Sequence, residues 1–88
     1  MKKIYLVVEN SVCDFEELEE DMKVYTDLEQ AKTDFEKQIQ IATKDMREII
    51  ADSNDIIIEK LENDFCIYYK NYYNQYHITI KLIEKNIG

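Results

Sequence analysis

The chain has 88 residues, enough for one domain with a single hydrophobic core and near the lower limit for such a core without disulfides or metal. At 45% hydrophobic and 34% charged it belongs with globular chains, and its net charge of −8 sets it against polyanionic ligands. The absence of proline and a single glycine, Gly88, exclude a P-loop, a dinucleotide fingerprint and a nucleophile elbow, which all need glycine where backbone meets ligand.

Residues 2–8, "KKIYLVV", form a β-branched, apolar run that predicts a central strand buried on both faces. Residues 9–21 then carry seven acids and no base. That stretch reads as a solvated acidic loop, anchored by Phe15 and Leu18 on one helical turn. "MKVYT", residues 22–26, predicts a short second strand running into a helix, with Thr26 and Glu29 as a capping box and Asp27 favoured by the helix dipole.

Apolar residues at Leu28, Ala31, Phe35, Ile39, Ala42, Met46 and Ile49 step by three or four and draw one stripe along a helix of about 24 residues. The same period fits a heptad seam. Three heptads followed by strand-like sequence instead suggest one helix lying on a sheet. "ADSND" ends the helix with cap and turn formers. "IIIEKL", "FCIYY" and "YHITIKLI" follow as three strands of an antiparallel meander, separated by turns at "END" and "KNYYNQ". The competing expectation is that the helix resumes through Ile56 to Leu61.

The predicted fold is therefore α+β and two-layered: one domain over residues 1–88, with a small antiparallel sheet of about five short strands (β-β-α-β-β-β) on one long amphipathic helix. The other sheet face is left to solvent or to another molecule. An edge strand such as "YHITIKLI", or that uncovered face, could pair between two copies, which makes a homodimer or a homo-oligomeric structural protein one alternative.

Five of seven tyrosines crowd into positions 68–76, beside His77, the only histidine. Residues 56–88 hold four bases and four acids, so no basic groove accompanies the aromatics and direct nucleic-acid binding is not expected. Adjacent tyrosines on extended backbone point to opposite faces, which suits packing better than a shared pocket. Tyr72 and Tyr73 at the turn, with Tyr76, are candidate contacts for a protein partner, as are Glu16, Glu17, Glu19, Glu20 and Asp21 of the acidic run.

Catalytic and metal chemistry find little support. His77 has no nucleophile assigned by spacing; Cys66 could approach it across the last hairpin, a combination common without function. Acids around Cys13 disfavour its thiolate. One histidine and two distant cysteines cannot close a zinc site, and the stretch from Asp52 fails as a calcium loop because isoleucines occupy ligand and glycine positions. No enzyme activity, cofactor or metal is expected. No apolar run approaches the length of a bilayer span and the amino end lacks a signal-peptide cleavage site, so a cytoplasmic protein with two reduced thiols and no membrane contact is expected.

Richness in Lys, Ile, Asn and Tyr with so little Gly and Pro is what AT-rich coding gives, pointing to a low-GC bacterium or its phage. In size and composition the chain is similar to small acidic open reading frames of phages and mobile elements, some of which inhibit restriction or CRISPR enzymes; the similarity covers no motif and carries no residue across. It implies an acidic surface that imitates nucleic acid for a basic nucleic-acid-binding protein. The leading expectation is a small acidic, non-enzymatic protein–protein interaction module.

Overall fold

A computed structural model of the chain describes residues 2–13, 16–49, 53–69 and 76–87. The elements run β1 (Lys2–Cys13), β2 (Glu16–Tyr25), α1 (Leu28–Ile49), a 3₁₀ turn (Ser53–Asp55), β3 (Ile56–Lys60), β4 (Asp64–Tyr69) and β5 (Tyr76–Ile87). The strands make one sheet in the order β2-β1-β5-β4-β3, every neighbouring pair antiparallel. With α1 packed across one face, this is the expected two-layer α+β arrangement.

The apolar stripe explains that packing. Ala31, Phe35, Ile39, Ala42 and Met46 are buried against Val7 of β1, Ile78, Ile80 and Leu82 of β5, and Phe65 and Ile67 of β4. Ala31 and Ala42 are almost wholly excluded from solvent. Their small side chains let the helix backbone settle close to the sheet, while Phe35 and Met46 fill the space between. Leu28, predicted as the first member of the stripe, is 36% exposed, so the buried face begins one turn later. Two ion pairs tether the helix to opposite sheet edges: Lys23 of β2 lies 3.8 Å from Asp34, and Lys60 of β3 lies 3.0 Å from Glu36. Such surface pairs contribute about 0–1 kcal/mol each, so they orient the helix more than they stabilise it.

Several expectations need correcting. Residues 9–21 are not a loop: β1 continues to Cys13 and β2 begins at Glu16, so the acidic run forms most of a long hairpin. Glutamate is a poor strand former, yet β2 is an edge strand with one side open to water, where charge is tolerated. Leu18 is the extra residue of a β-bulge, because Ser11 opposes Glu19 and Val12 opposes Glu17. It therefore anchors no helical turn, and Phe15 lies outside the described residues. Strands β1, β2 and β5, of 12, 10 and 12 residues, are not short.

The helix starts one residue later than the Thr26 box implies. Asp27 is the cap: its Oδ1 accepts from the Glu29 amide at 2.9 Å and its carbonyl accepts from the Ala31 amide at 3.1 Å. The helix does not resume through Ile56, which opens β3. The strand containing "YHITIKLI" is no edge: β5 is the middle strand, hydrogen-bonded to β1 and β4. β1 is interior but off-centre, and burial on both its faces is strongest at Leu6 and Val7, 7% and 3% exposed.

Candidate functional site

Strand alternation makes residues in register share a face. Val7 and Leu82 oppose each other and lie in the core under α1, so that row belongs to the helix side. The next row, Val24–Leu6–Ile83, therefore lies on the side away from the helix. Flanking rows on this second side are Met22–Val8–Lys81–Asp64 and Ile4–Lys85, with Lys2–Ile87 at the end. No described element covers these rows.

An antiparallel sheet with one solvated face normally puts polar residues there. Here the open face of β2, β1 and β5 is aliphatic at its centre. Leu6 is buried by its neighbours on the sheet alone, Ile4, Val8 and Ile83 are half-buried, and Met22 and Val24 are 58% and 56% exposed. Lysines fringe this patch at Lys2, Lys81 and Lys85. Further along the strands the face becomes polar: Asn10, Thr79, Cys66 and Glu59 form one row, and Val12, His77, Tyr68 and Ile57 the next. Tyr68 donates a hydrogen bond to Glu59 Oε1 at 3.2 Å. A shallow depression of about 140 Å³ opens beside the patch, between Leu61, Asp64, Cys66, Thr79 and Lys81.

The described members of the predicted contact set pair with residues 9–13 of β1. Glu16 and Tyr76 oppose Cys13 from either side, so the register brings the start of the acidic strand and the end of the tyrosine segment to opposite flanks of β1. Two strand spacings, about 10 Å, separate them. Glu17 opposes Val12, Glu19 opposes Ser11, Glu20 opposes Asn10 and Asp21 opposes Glu9. Tyr72 and Tyr73 lie outside the described residues. Elsewhere tyrosines serve the packing role expected of them: Tyr5 and Tyr25 pack at the margin of the core, and Tyr68 and Tyr69, adjacent in sequence, occupy opposite faces. Burial raises the Tyr25 phenol above its ordinary pKa, and the neighbouring Asp34 carboxylate raises it further.

Cys66 and His77 share the open face on neighbouring strands, displaced diagonally by two residues. β5 lies between β1 and β4, so Cys13 and Cys66 are at least two strand spacings apart, beyond the roughly 7 Å Cα separation a disulfide spans. Among the described residues no three His, Cys, Asp or Glu side chains gather to hold a metal ion, and no helix is long and apolar enough to cross a membrane. Sequence reading missed Met22, Val24 and Ile83 as surface residues. The available signal was the unbroken apolar run of β1, which demands cover on two sides while the described residues offer one long helix. No protein-family model matches the chain, no curated protein matches it in sequence, and no solved structure matches its fold.

Proposed function

We propose that the chain is a non-enzymatic protein–protein interaction module that works through the open face of β2, β1 and β5. The observation that carries this reading is the pair Met22 and Val24, more than half exposed and contiguous with Leu6, Val8 and Ile83. An aliphatic patch with a charged fringe has the composition of an interface centre and its rim. The proposal includes a cytoplasmic setting, supported by two cysteines placed too far apart to bridge within one chain.

The test is a photo-activated cross-linking residue in place of Val24, with one at Lys37 on the outer face of α1 as control. A discrete protein adduct at position 24, identified by mass spectrometry and lost when Met22→Lys is added, is the expected outcome. Equal labelling at both positions, or none that Met22→Lys affects, would remove the reading.

Imitation of nucleic acid for a basic protein is the second reading. It gains from the acids of residues 16–21 being held on a strand rather than on a loose loop. It loses because alternation divides consecutive acids between two sides of the sheet, and because α1 interleaves Lys32, Lys37, Lys44 and Arg47 with its own acids. A single-sign surface would need more carboxylates on one side than the hairpin supplies, so the interaction-module reading is preferred.

A further inference from the structure

We propose that the occupant of the open face is a second copy of this chain, packed sheet to sheet with its strands antiparallel to the first. The proposal rests on the interaction-module reading and names the module's partner.

The first argument is that the sheet offers its edges poorly. β2 is acidic and bulged, β3 has only five residues, and the more apolar β1, β4 and β5 are already paired on both sides. Edge-to-edge pairing between copies would set the acids of one β2 beside those of another. Face-to-face packing avoids this and closes on itself as a two-fold, which gives a dimer instead of a filament.

Charge then selects the orientation. The open face is basic at one end, with Lys2 and Lys85, and approaches the acidic hairpin at the other, where Glu20 and Glu17 stand in register with Asn10 and Val12. Parallel strands would bring both acidic hairpin ends together. An antiparallel arrangement, with the two-fold axis crossing near Leu6, keeps them at opposite ends of the dimer. Leu6, Val24 and Ile83 then meet their own copies, and Ile4 meets Val8. Lys2 comes over the Asn10 row of the second copy, whose β2 member is Glu20. The one like-charge meeting, Lys85 with Lys81 of the second copy, is offset by Asp64, which opposes Lys81 on β4. Aligned sheets cross at about 30°, which further separates these two lysines.

The area is that of a small interface. With the axis near Leu6, about 20 residues of β1, β5 and the end of β2 face their own copies, at about 3.3 Å along strands about 4.8 Å apart, which outlines about 300 Å² in projection. Side-chain relief raises the accessible area, which stays below the roughly 800 Å² per partner of a standard interface, so a weak dimer is expected. The aliphatic centre would supply the affinity and the lysine and glutamate ends the register.

Sedimentation and light scattering across the micromolar range test the proposal. The wild-type chain should reach about twice its 10.6 kDa monomer mass. Met22→Lys with Val24→Lys should return it to monomer while far-ultraviolet circular dichroism stays unchanged, because both positions are exposed within one copy. Lys2→Glu should raise the dimer dissociation constant severalfold at low salt, since it sets acid against the Glu20 row of the second copy. An unchanged or tighter dimer in that variant overturns the antiparallel arrangement. A dimer that survives the Met22 and Val24 changes overturns the choice of face. A wild-type chain that stays at monomer mass overturns the second copy as occupant. In that event a cross-link from position 24 to a different chain would leave the interaction-module reading standing, and no cross-link would remove both.

Discussion

Thr26 and Asp27 both carry side chains able to accept from a helix-start amide, and backbone geometry decides between them. Asp27 holds the Glu29 amide, and its position also favours the positive end of the helix dipole. Asp27→Ala should therefore cost about 1 kcal/mol in urea unfolding, and Thr26→Ala a few tenths at most. Equal costs would return the cap to Thr26. Tyr25 makes a different statement, about pH. Its phenol is held above the ordinary value of 10.0, first by burial, then by the carboxylates of Asp34 and Asp21, whose negative charge disfavours the phenolate. The folded chain thus keeps this proton longer than the unfolded chain. The associated stability is complete below about pH 10 and is lost as pH rises through the higher folded value. Lys3, raised chiefly by its hydrogen bond to Glu84, titrates in the same direction and is common to wild type and variant. Tyr25→Phe has no proton to lose there and should flatten the alkaline fall in urea midpoint between neutral pH and about pH 11. Parallel curves for the two proteins would argue against that role for the phenol.

Among the elements, α1 was the most legible in the sequence, because helix periodicity is a local signal and its stripe needs only one partner surface. β3, β4 and β5 were legible as a meander for a similar reason, since their partners are neighbours in sequence. β2 was read only at its end, residues 22–25; residues 16–21 were hidden because their acids have low strand propensity and the hydrogen-bonding partner, β1, supplies the order. The same acids have an evident role at an edge. Charge on an edge strand discourages pairing with further chains, and the bulge at Leu18 adds local twist. Replacing Glu16 and Glu19 with Gln and Asp21 with Asn, at register positions on the helix side and so outside the proposed dimer face, should increase light scattering during refolding. Unchanged scattering would show that these acids do not guard the edge.

At the scale of the whole molecule, the class of fold could be read from the sequence and the strand order could not. Register between Lys2 and Ile87 joins the two ends of the described chain, and such a long-range pairing leaves no periodic trace in either segment. The candidate face was half legible. "IYLVV" announced a strand needing cover on two sides, but that Met22, Val24 and Ile83 extend the second side followed only from the register. Net charge drew attention to the carboxylates of residues 16–21; the exposed aliphatic surface sits toward the lysine-bearing end of the same strands.

The central position of β5 has a consequence for synthesis. Translation delivers β1, β2, α1, β3 and β4 before residues 76–87, yet β5 alone among the described strands joins the β1–β2 hairpin to the β3–β4 hairpin. Until it emerges from the ribosome, the nascent protein holds two separate ribbons and a helix whose buried stripe lacks Ile78, Ile80 and Leu82 of its eventual seat. Assembly of the full sheet must therefore wait for residues 76–87, and ribosomes stalled before Tyr76 should carry chains more open to chaperones and proteases than the complete fold.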